Sequence, residues 1–188
     1  MSPRVGLDVK RIIVTAAELA NTEGIESLSL ATIARKLNVR PPSLFNHIDG
    51  LQSVKRELSL YGLTLLYERL KESCLDKKGD EAIFSLATEY VRFARQHPGV
   101  YELTLSAPIE GDQELEAASN RIISLLSIYL AEYNLSDEGK IHAIRAFRSI
   151  LHGFSTLEQK GAFGLPVNIE KSFELMIQGF IELIKRQL

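Results

Sequence analysis

Cysteine is nearly absent from this chain, and long apolar runs are absent altogether. The single Cys74 excludes an intramolecular disulfide and fits a reducing compartment. No apolar run approaches the roughly 20 residues that a membrane-spanning helix needs. The first residues also lack the apolar core of a signal peptide. We therefore expect a cytoplasmic protein that has no membrane partner.

Residue patterns that carry catalytic or metal chemistry are scarce as well. The histidines beyond residue 60 are not paired at i, i+4, and no cluster of Cys or Asp has metal-ligand spacing. A glycine-rich phosphate loop, a nucleophile beside a base and a pair of carboxylates are also missing. The sequence therefore predicts no metal, no cofactor and no enzymatic activity.

What the chain does contain is helical periodicity from end to end. Its 188 residues, 45% of them hydrophobic and 24% charged, are enough for a globular protein with a real core. Apolar residues recur at spacings of three and four, and no strand-like alternation or internal repeat is visible. We therefore expect an all-α fold. The first predicted helix ends at residue 24. The other predicted helices cover about 30–37, 41–49, 51–74, 81–96, 100–106, 112–133, 138–160 and 169–187.

The stretch 29–49 predicts two short helices around a tight turn. Ser29 stands at the N-cap of the first helix. Asn38 tolerates the left-handed backbone that a sharp helix stop requires. Pro41 and Pro42 suit the first turn of the second helix, where their missing N–H groups have no partner to lose. Two short helices in this order predict a helix-turn-helix, whose second helix enters the DNA major groove.

The second predicted helix has a polar face and an apolar face. Ser43, Asn46 and His47 share the polar face, whereas Leu44 and Ile48 point the other way. An ordinary short surface helix shows the same division, but the preceding helix and turn favour contact with DNA. Asparagine and serine bond base edges or phosphates, and histidine donates to phosphates.

Net charge alone does not predict a DNA-binding protein. The chain carries −2 at pH 7, made up of +2 over residues 1–60 and −4 over the remainder. This asymmetry has the expected sign but is small, so phosphate contacts must come from the placement of charges. Arg4, Lys10 and Arg11 form either an arm along the DNA backbone or part of a disordered tail.

Residues 8–60 resemble the N-terminal domain of TetR-family transcriptional regulators. The matching pieces, in the same order and spacing, are the first helix ending at Glu23-Gly24, then Ile33-Ala34, Leu37-Asn38-Val39 and Leu44-Phe45-Asn46-His47-Ile48. HPGVYELTL at 97–105 and RSILHGFSTLEQKGAFGLP at 148–166 resemble the ligand-binding half of one TetR subgroup. An aromatic-His-Gly motif recurs in that subgroup, and here it reads Leu151-His152-Gly153.

This chain departs from the family pattern at positions that bind phosphate. Phe45 replaces the usual tyrosine, Leu51 replaces the usual lysine, and Arg40 stands where a small capping residue is common. Backbone N–H groups near Leu51 and the side chain of Lys55 are left to compensate. The resemblance and the polar face together imply DNA contacts from Arg40, Pro41, Ser43, Phe45, Asn46, His47, Leu51 and Lys55.

The resemblance implies two domains and a ligand-controlled function. We expect a three-helix DNA-binding domain at 1–50, a connecting helix at about 51–75, and a helical bundle at 76–188 that binds an effector and dimerises. The expected protein is a homodimeric repressor that an unknown small molecule releases from a double-stranded, palindromic operator. The alternative is a helix-turn-helix protein whose C-terminal domain only dimerises or binds another protein.

Aromatic and aliphatic side chains of the C-terminal half are core residues by default. If the family resemblance extends to this half, some of them line an effector cavity or a dimer interface. The candidate effector contacts are Phe93, Tyr101, Tyr129, Phe147 and His152. The apolar stripes of the last two helices supply the candidate dimer contacts Ile144, Leu151, Phe173, Ile177, Phe180 and Ile184.

Overall fold

The computed structural model describes residues 6–105 and 111–186 of the chain, and Arg4 lies outside this range. The all-α prediction is confirmed, since every regular element among the described residues is helical. The α-helices are α1 (Val9–Glu23), α2 (Leu30–Leu37), α3 (Leu51–Ser73), α4 (Gly79–Gln96), α5 (Pro98–Leu103), α6 (Gln113–Leu130), α7 (Asp137–Gln159) and α8 (Ile169–Lys185). Short 3-10 segments cover Ile25–Ser27, Pro41–Asn46 and Ala131–Tyr133.

The ends of α2 follow from its terminal residues. The Oγ of Ser29 accepts a hydrogen bond from the backbone N–H of Thr32 at 3.1 Å, and the backbone N–H of Ser29 donates to Oγ1 of Thr32 at 2.9 Å. This reciprocal pair is a capping box. At the other end Asn38 adopts φ +55°, the left-handed conformation expected of it. The predicted bounds of this helix are confirmed.

The second element of the helix-turn-helix corrects the sequence prediction. The sequence predicts an α-helix over 41–49, whereas the structure has a 3-10 segment that ends at Asn46. Its backbone hydrogen bonds join residues three positions apart, which is the 3-10 pattern. Ser43 N donates to Arg40 O at 2.9 Å, and His47 N donates to Leu44 O at 2.9 Å. We call Pro41–Asn46 the recognition segment.

Contacts within the chain group it into two compact units. The first contains the described residues of Met1–Leu63 and His97–Leu115, and the second contains those of Thr64–Gln96 and Glu116–Leu188. Helices α3 and α6 each contribute residues to both units. The predicted domain limits at residues 50 and 76 stay a prediction.

The first unit packs α5 against α1 at a very small distance. A Cβ on Gly99 would lie 2.0 Å from the carbonyl oxygen of Ala20, so only glycine fits there. The backbone N–H of Val100 donates to Oδ1 of Asn21 at 3.1 Å and ties the start of α5 to the end of α1. Gly62 on α3 also allows α5 to approach closely, since a Cβ there would lie 2.7 Å from the Val100 side chain.

The second unit is built around α4, which packs mainly against α7 and α8. Phenylalanine rings link the last two helices, with Phe147 to Phe180 at 5.1 Å and Phe154 to Phe173 at 5.0 Å between ring centroids. The amide of Gln159 donates to the carbonyl oxygen of Ala94 at 2.9 Å. Among the residues that the structure describes, no helix is both long enough and apolar enough to cross a membrane.

Candidate nucleic-acid interface and polar cleft

The recognition segment is anchored by its inward side chains. Leu44 is fully buried and Ile48 is nearly so, and both belong to the apolar core of the first unit together with Ile33 and Val54. Most side chains around these anchors face solvent. Those exposed are Arg40, Pro41, Pro42, Phe45, Asn46 and His47, whereas Ser43 is half-buried.

The 3-10 geometry places these side chains in rows along the segment, which we call its edges. Because one turn takes three residues, side chains at i and i+3 are aligned. Pro42 and Phe45 therefore share an apolar edge, and Ser43 and Asn46 share a polar edge. Leu44 occupies the edge that faces the core. The segment thus presents two chemically different edges side by side.

The start of α3 contributes a cation and backbone donors. Leu51 and Lys55 are half-buried and stand one helical turn apart. The first backbone N–H groups of a helix have no intrahelical partner and suit a phosphate. The structure thus brings Leu51 and Lys55 into the same unit as the recognition segment.

Arg56, the neighbour of Lys55, is already occupied by carboxylates. Its guanidinium donates to Asp112 at 2.6 and 2.8 Å, to Glu114 at 2.6 Å and to Glu57 at 2.7 Å. The hydrogen bonds to Asp112 contribute most to raising the pKa of Arg56, and the same contact lowers the pKa of Asp112. Arg56 therefore fixes the start of α6 and is not a phosphate contact.

The second unit contains a polar cleft of about 1000 Å³ between α3, α4 and α8. Phe84 and Ile181 supply apolar surface, and the charged side chains around them are five carboxylates and three cations. Glu89 is held between two arginines, with Arg92 at 2.6 Å and Arg69 at 3.5 Å. The charged residues that line the cleft are Arg69, Glu72, Lys77, Asp80, Glu81, Glu89, Arg92 and Glu182.

Comparison with known proteins identifies the family. Residues 83–180 match the family described as "Tetracyclin repressor-like, C-terminal domain". The chain is also 44% identical to the uncharacterized HTH-type transcriptional regulator YobS of Bacillus subtilis (strain 168), over 96% of this chain and 94% of that protein. This chain belongs to the TetR family. It is a helix-turn-helix transcriptional regulator, and such regulators are typically ligand-responsive repressors.

Solved structures show that the TetR fold extends over the whole chain. A protein of unknown function from Rhodococcus sp. RHA1 has a TM-score of 0.80 and 18% identity, with 100% of this chain and 99% of that chain covered. TetR from Acinetobacter baumannii AYE has a TM-score of 0.68 and 19% identity, with 96% and 98% covered. The alternative of a C-terminal domain without a ligand is not favoured, since that half itself matches the tetracycline-repressor-like domain.

In this TetR-family protein the predicted effector contacts are mostly core. Phe93, Tyr101 and Phe147 are buried, and Tyr129 and His152 are half-buried. The hydroxyl of Tyr129 donates to the carbonyl oxygen of Cys74 at 3.1 Å, and burial raises its pKa. None of the five residues is among those that line the polar cleft. Sequence reasoning missed the cleft because its residues resemble an ordinary solvated face of α4.

The predicted dimer contacts are mostly core as well, and their role in a dimer stays a prediction. Leu151, Phe173, Ile177, Phe180 and Ile184 are 0–4% exposed in the single protomer, so they pack inside it. The strongest apolar stripe of a helix marks the face toward its own core. Ile144 is half-buried. The apolar side chains that the last two helices leave exposed are Ile141, Leu157, Leu175, Met176 and Leu183.

Proposed function

We propose that the protein is a homodimeric repressor that leaves its operator when a small molecule binds its C-terminal half. The observation that carries this proposal is the recognition segment, which Leu44 anchors and whose apolar edge is exposed beside a partly exposed polar edge. Residues 1–50 read DNA, about 51–75 connect, and 76–188 bind the effector and dimerise. The operator is a palindrome because two identical recognition segments read it.

The proposed DNA contacts divide by chemistry. Ser43 and Asn46 bond base edges, and Arg40 and His47 donate to base edges or phosphates. Pro41 and Phe45 supply apolar contact. At the start of α3, backbone N–H groups near Leu51 and the ammonium of Lys55 hold phosphate oxygens. These contacts replace those that the family obtains from a tyrosine and a lysine.

The proposed dimer uses a second face of α7 and α8, beside the buried stripes. Leu157 on α7 and Met176 and Leu183 on α8 are exposed. Gly153 and Gly179 lie on the same faces, and no described atom outside their own helices lies within 4 Å of where a Cβ would stand. Glycine in a helix costs about 1 kcal/mol against alanine, and here it leaves room for the helices of a second copy.

The polar cleft is the proposed effector site. Its volume of about 1000 Å³ is at the upper end of the range for small-molecule sites. Phe93, Tyr101 and Phe147 would be reached only if the core opened, so we prefer the cleft to the contacts predicted from sequence. Its carboxylates and arginines favour a polar effector that carries charge.

Helix α3 gives the proposed effector a route to the DNA. The same continuous helix carries Leu51 and Lys55 near its start and Arg69, Glu72 and Ser73 of the cleft near its end. An effector acts only through its different affinities for the DNA-competent and the released conformations. A ligand that prefers a shifted α3 would therefore change the spacing of the two recognition segments.

The finer assignments complete the proposal. We place the chain in the aromatic-His-Gly subgroup through Leu151-His152-Gly153, although leucine stands for the aromatic residue. His152 has a polar partner on α7, with its Nδ1 at 3.3 Å from Oγ1 of Thr156. Binding equilibria suffice for this function, so we assign no catalytic step, cofactor or metal. We place the protein in the cytoplasm, where it has access to DNA.

Selection of bound sequences from random double-stranded DNA tests the function. We expect a palindrome whose half-site centres lie about one helical turn apart, roughly 34–36 Å. The double substitution Asn46→Ala and His47→Ala should weaken binding to this operator at least about 30-fold, corresponding to ~2 kcal/mol. Lys171→Ala, on an exposed residue of α8, is the matched control and should leave affinity unchanged. Failure to enrich any sequence contradicts the proposal.

A further inference from the structure

Phe45 is a large apolar side chain that lies beside the polar Ser43–Asn46 edge of the recognition segment. It is 59% exposed, although the segment that carries it is anchored by the fully buried Leu44 next to it. Keeping such a side chain in water forgoes part of the free energy that burying it would contribute. The exposed ring of Phe45 is therefore free to contact whatever the recognition segment binds.

The side chains of Pro42 and Phe45 cannot donate a hydrogen bond to phosphate. The phenyl ring has no donor, and proline has no backbone N–H. The neighbouring Ser43–Asn46 edge carries hydroxyl and amide groups, which do bond phosphates and bases. A partner that meets both edges must therefore present an apolar group beside hydrogen-bonding groups.

The DNA major groove has one apolar group on its base edges, the 5-methyl group of thymine. On A·T pairs this methyl lies next to the O4, N6 and N7 atoms that asparagine and serine recognise. Cytosine and guanine present no such methyl group in unmodified DNA. The division of the recognition segment into an apolar and a polar edge thus matches the surface of a thymine and its neighbours.

We propose that Phe45, flanked by Pro42, covers the 5-methyl group of one thymine in each operator half-site, while Ser43 and Asn46 bond the adjacent base edges. This inference rests on the proposed DNA-binding function and adds a base preference to it. Phe45 is then a specificity-determining residue, and the absence of a phenol at this position exchanges a phosphate contact for a base contact.

Deoxyuridine substitution tests the methyl contact directly, because it removes the 5-methyl group and keeps base pairing. Each thymine of the selected operator is replaced in turn, and Kd is measured at one fixed salt concentration. For the unmodified protein we expect one thymine per half-site whose replacement weakens binding about fourfold, the value of one buried methyl group. Phe45→Ala should bind the thymine operator more weakly and should be insensitive to deoxyuridine at that position.

Two further variants determine whether the sensitivity belongs to the ring of Phe45. Ser43→Ala changes the polar edge and should keep the full sensitivity to deoxyuridine. Phe45→Tyr keeps the ring and should keep the sensitivity as well. Since Phe45 is exposed, both of its variants should melt at the temperature of the unmodified protein, and Ser43→Ala should do so within a few degrees.

The outcomes separate this inference from the function on which it rests. An operator that is bound specifically but shows no deoxyuridine-sensitive position contradicts the methyl contact and leaves the regulator intact. Sensitivity that persists in Phe45→Ala assigns the methyl group to another residue and also contradicts it. A protein that enriches no DNA sequence contradicts the proposed function, and the methyl contact with it.

Discussion

The helix-turn-helix and the C-terminal half of this regulator differ in where their functional side chains lie relative to the core. In the recognition segment the residues that the sequence predicts as functional are exposed except for the half-buried Ser43, and Leu44 is fully buried. In α7 and α8 five of the six residues that the sequence predicts as dimer contacts are buried in the protomer, and other side chains form the exposed apolar surface. Polar side chains in the short helix-turn-helix elements therefore indicate an exposed surface. A regular apolar stripe on a long helix indicates the face that packs against the protein's own core.

The largest effect that tests this contrast is expected from Phe180. This side chain is 2% exposed and its ring lies 5.1 Å from that of Phe147. Phe180→Glu loses the packing of a large ring and buries a charge, which should cost about 4 kcal/mol or more. We expect thermal unfolding, followed by circular dichroism, to show a collapse of stability at every protein concentration.

Met176→Glu is the matched control on the same helix, because Met176 is 38% exposed. This variant should keep its helical signal and sediment as a monomer. A folded, monomeric Phe180→Glu protein would contradict the assignment of Phe180 to the core. A dimeric Met176→Glu protein would contradict the proposed dimer face.

How far the sequence predicts this structure depends on the range of the interactions involved. The ends of α2 depend on Ser29, Thr32 and Asn38, which act within one helical turn, so local rules are sufficient to place them. The buried state of Phe180 depends on Phe147, 33 positions earlier in the chain. A helical stripe gives the direction of a face but not the element that covers it.

The recognition segment and the cleft show two further limits of sequence reasoning. Helix periodicity cannot distinguish an α-helix from a 3-10 segment over six residues, and two prolines in the first turn are compatible with both. The cleft brings together the end of α3, one face of α4 and part of α8. No local pattern joins Arg69 with Gln178, so the cleft becomes visible only after folding.

A second, smaller effect distinguishes the cleft from the buried aromatic residues as the effector site. Thr88 lines the cleft from α4, and Thr88→Trp should obstruct its centre. A collection of polar, charged small molecules is first screened for compounds that raise the melting temperature of the unmodified protein. At 100 times its Kd, a bound compound stabilises the folded state by about 2.7 kcal/mol, and Thr88→Trp should reduce this gain substantially.

Leu165→Trp is the control for the added indole, because Leu165 is 81% exposed in the loop before α8. It should respond to the compound as the unmodified protein does. A compound that stabilises Thr88→Trp as strongly as the unmodified protein would move the effector site to the interior near Phe93 and Phe147.

The smallest expected effect concerns how the stability of the first unit depends on pH through the polar cluster around Arg56. Hydrogen bonds from Arg56 are the main cause of the lowered pKa of Asp112. A carboxyl whose folded pKa lies below its unfolded pKa stabilises the fold above about pH 4 and loses this contribution as the pH falls through the folded value. Arg56→Met removes the cause. The ion pair is partly exposed, with the side chains of Arg56 and Asp112 at 29% and 12% exposed, so the change should be modest. The melting temperature of this variant should be lower than that of the unmodified protein at pH 6, and the difference should shrink at pH 3.

Since Lys171 forms its ion pair within α8, with Glu174 at 2.8 Å, Lys171→Met controls for the loss of a cation elsewhere. A difference between Arg56→Met and the unmodified protein that stays constant from pH 6 to pH 3 would show that Arg56 acts through packing of its aliphatic stem and not through Asp112.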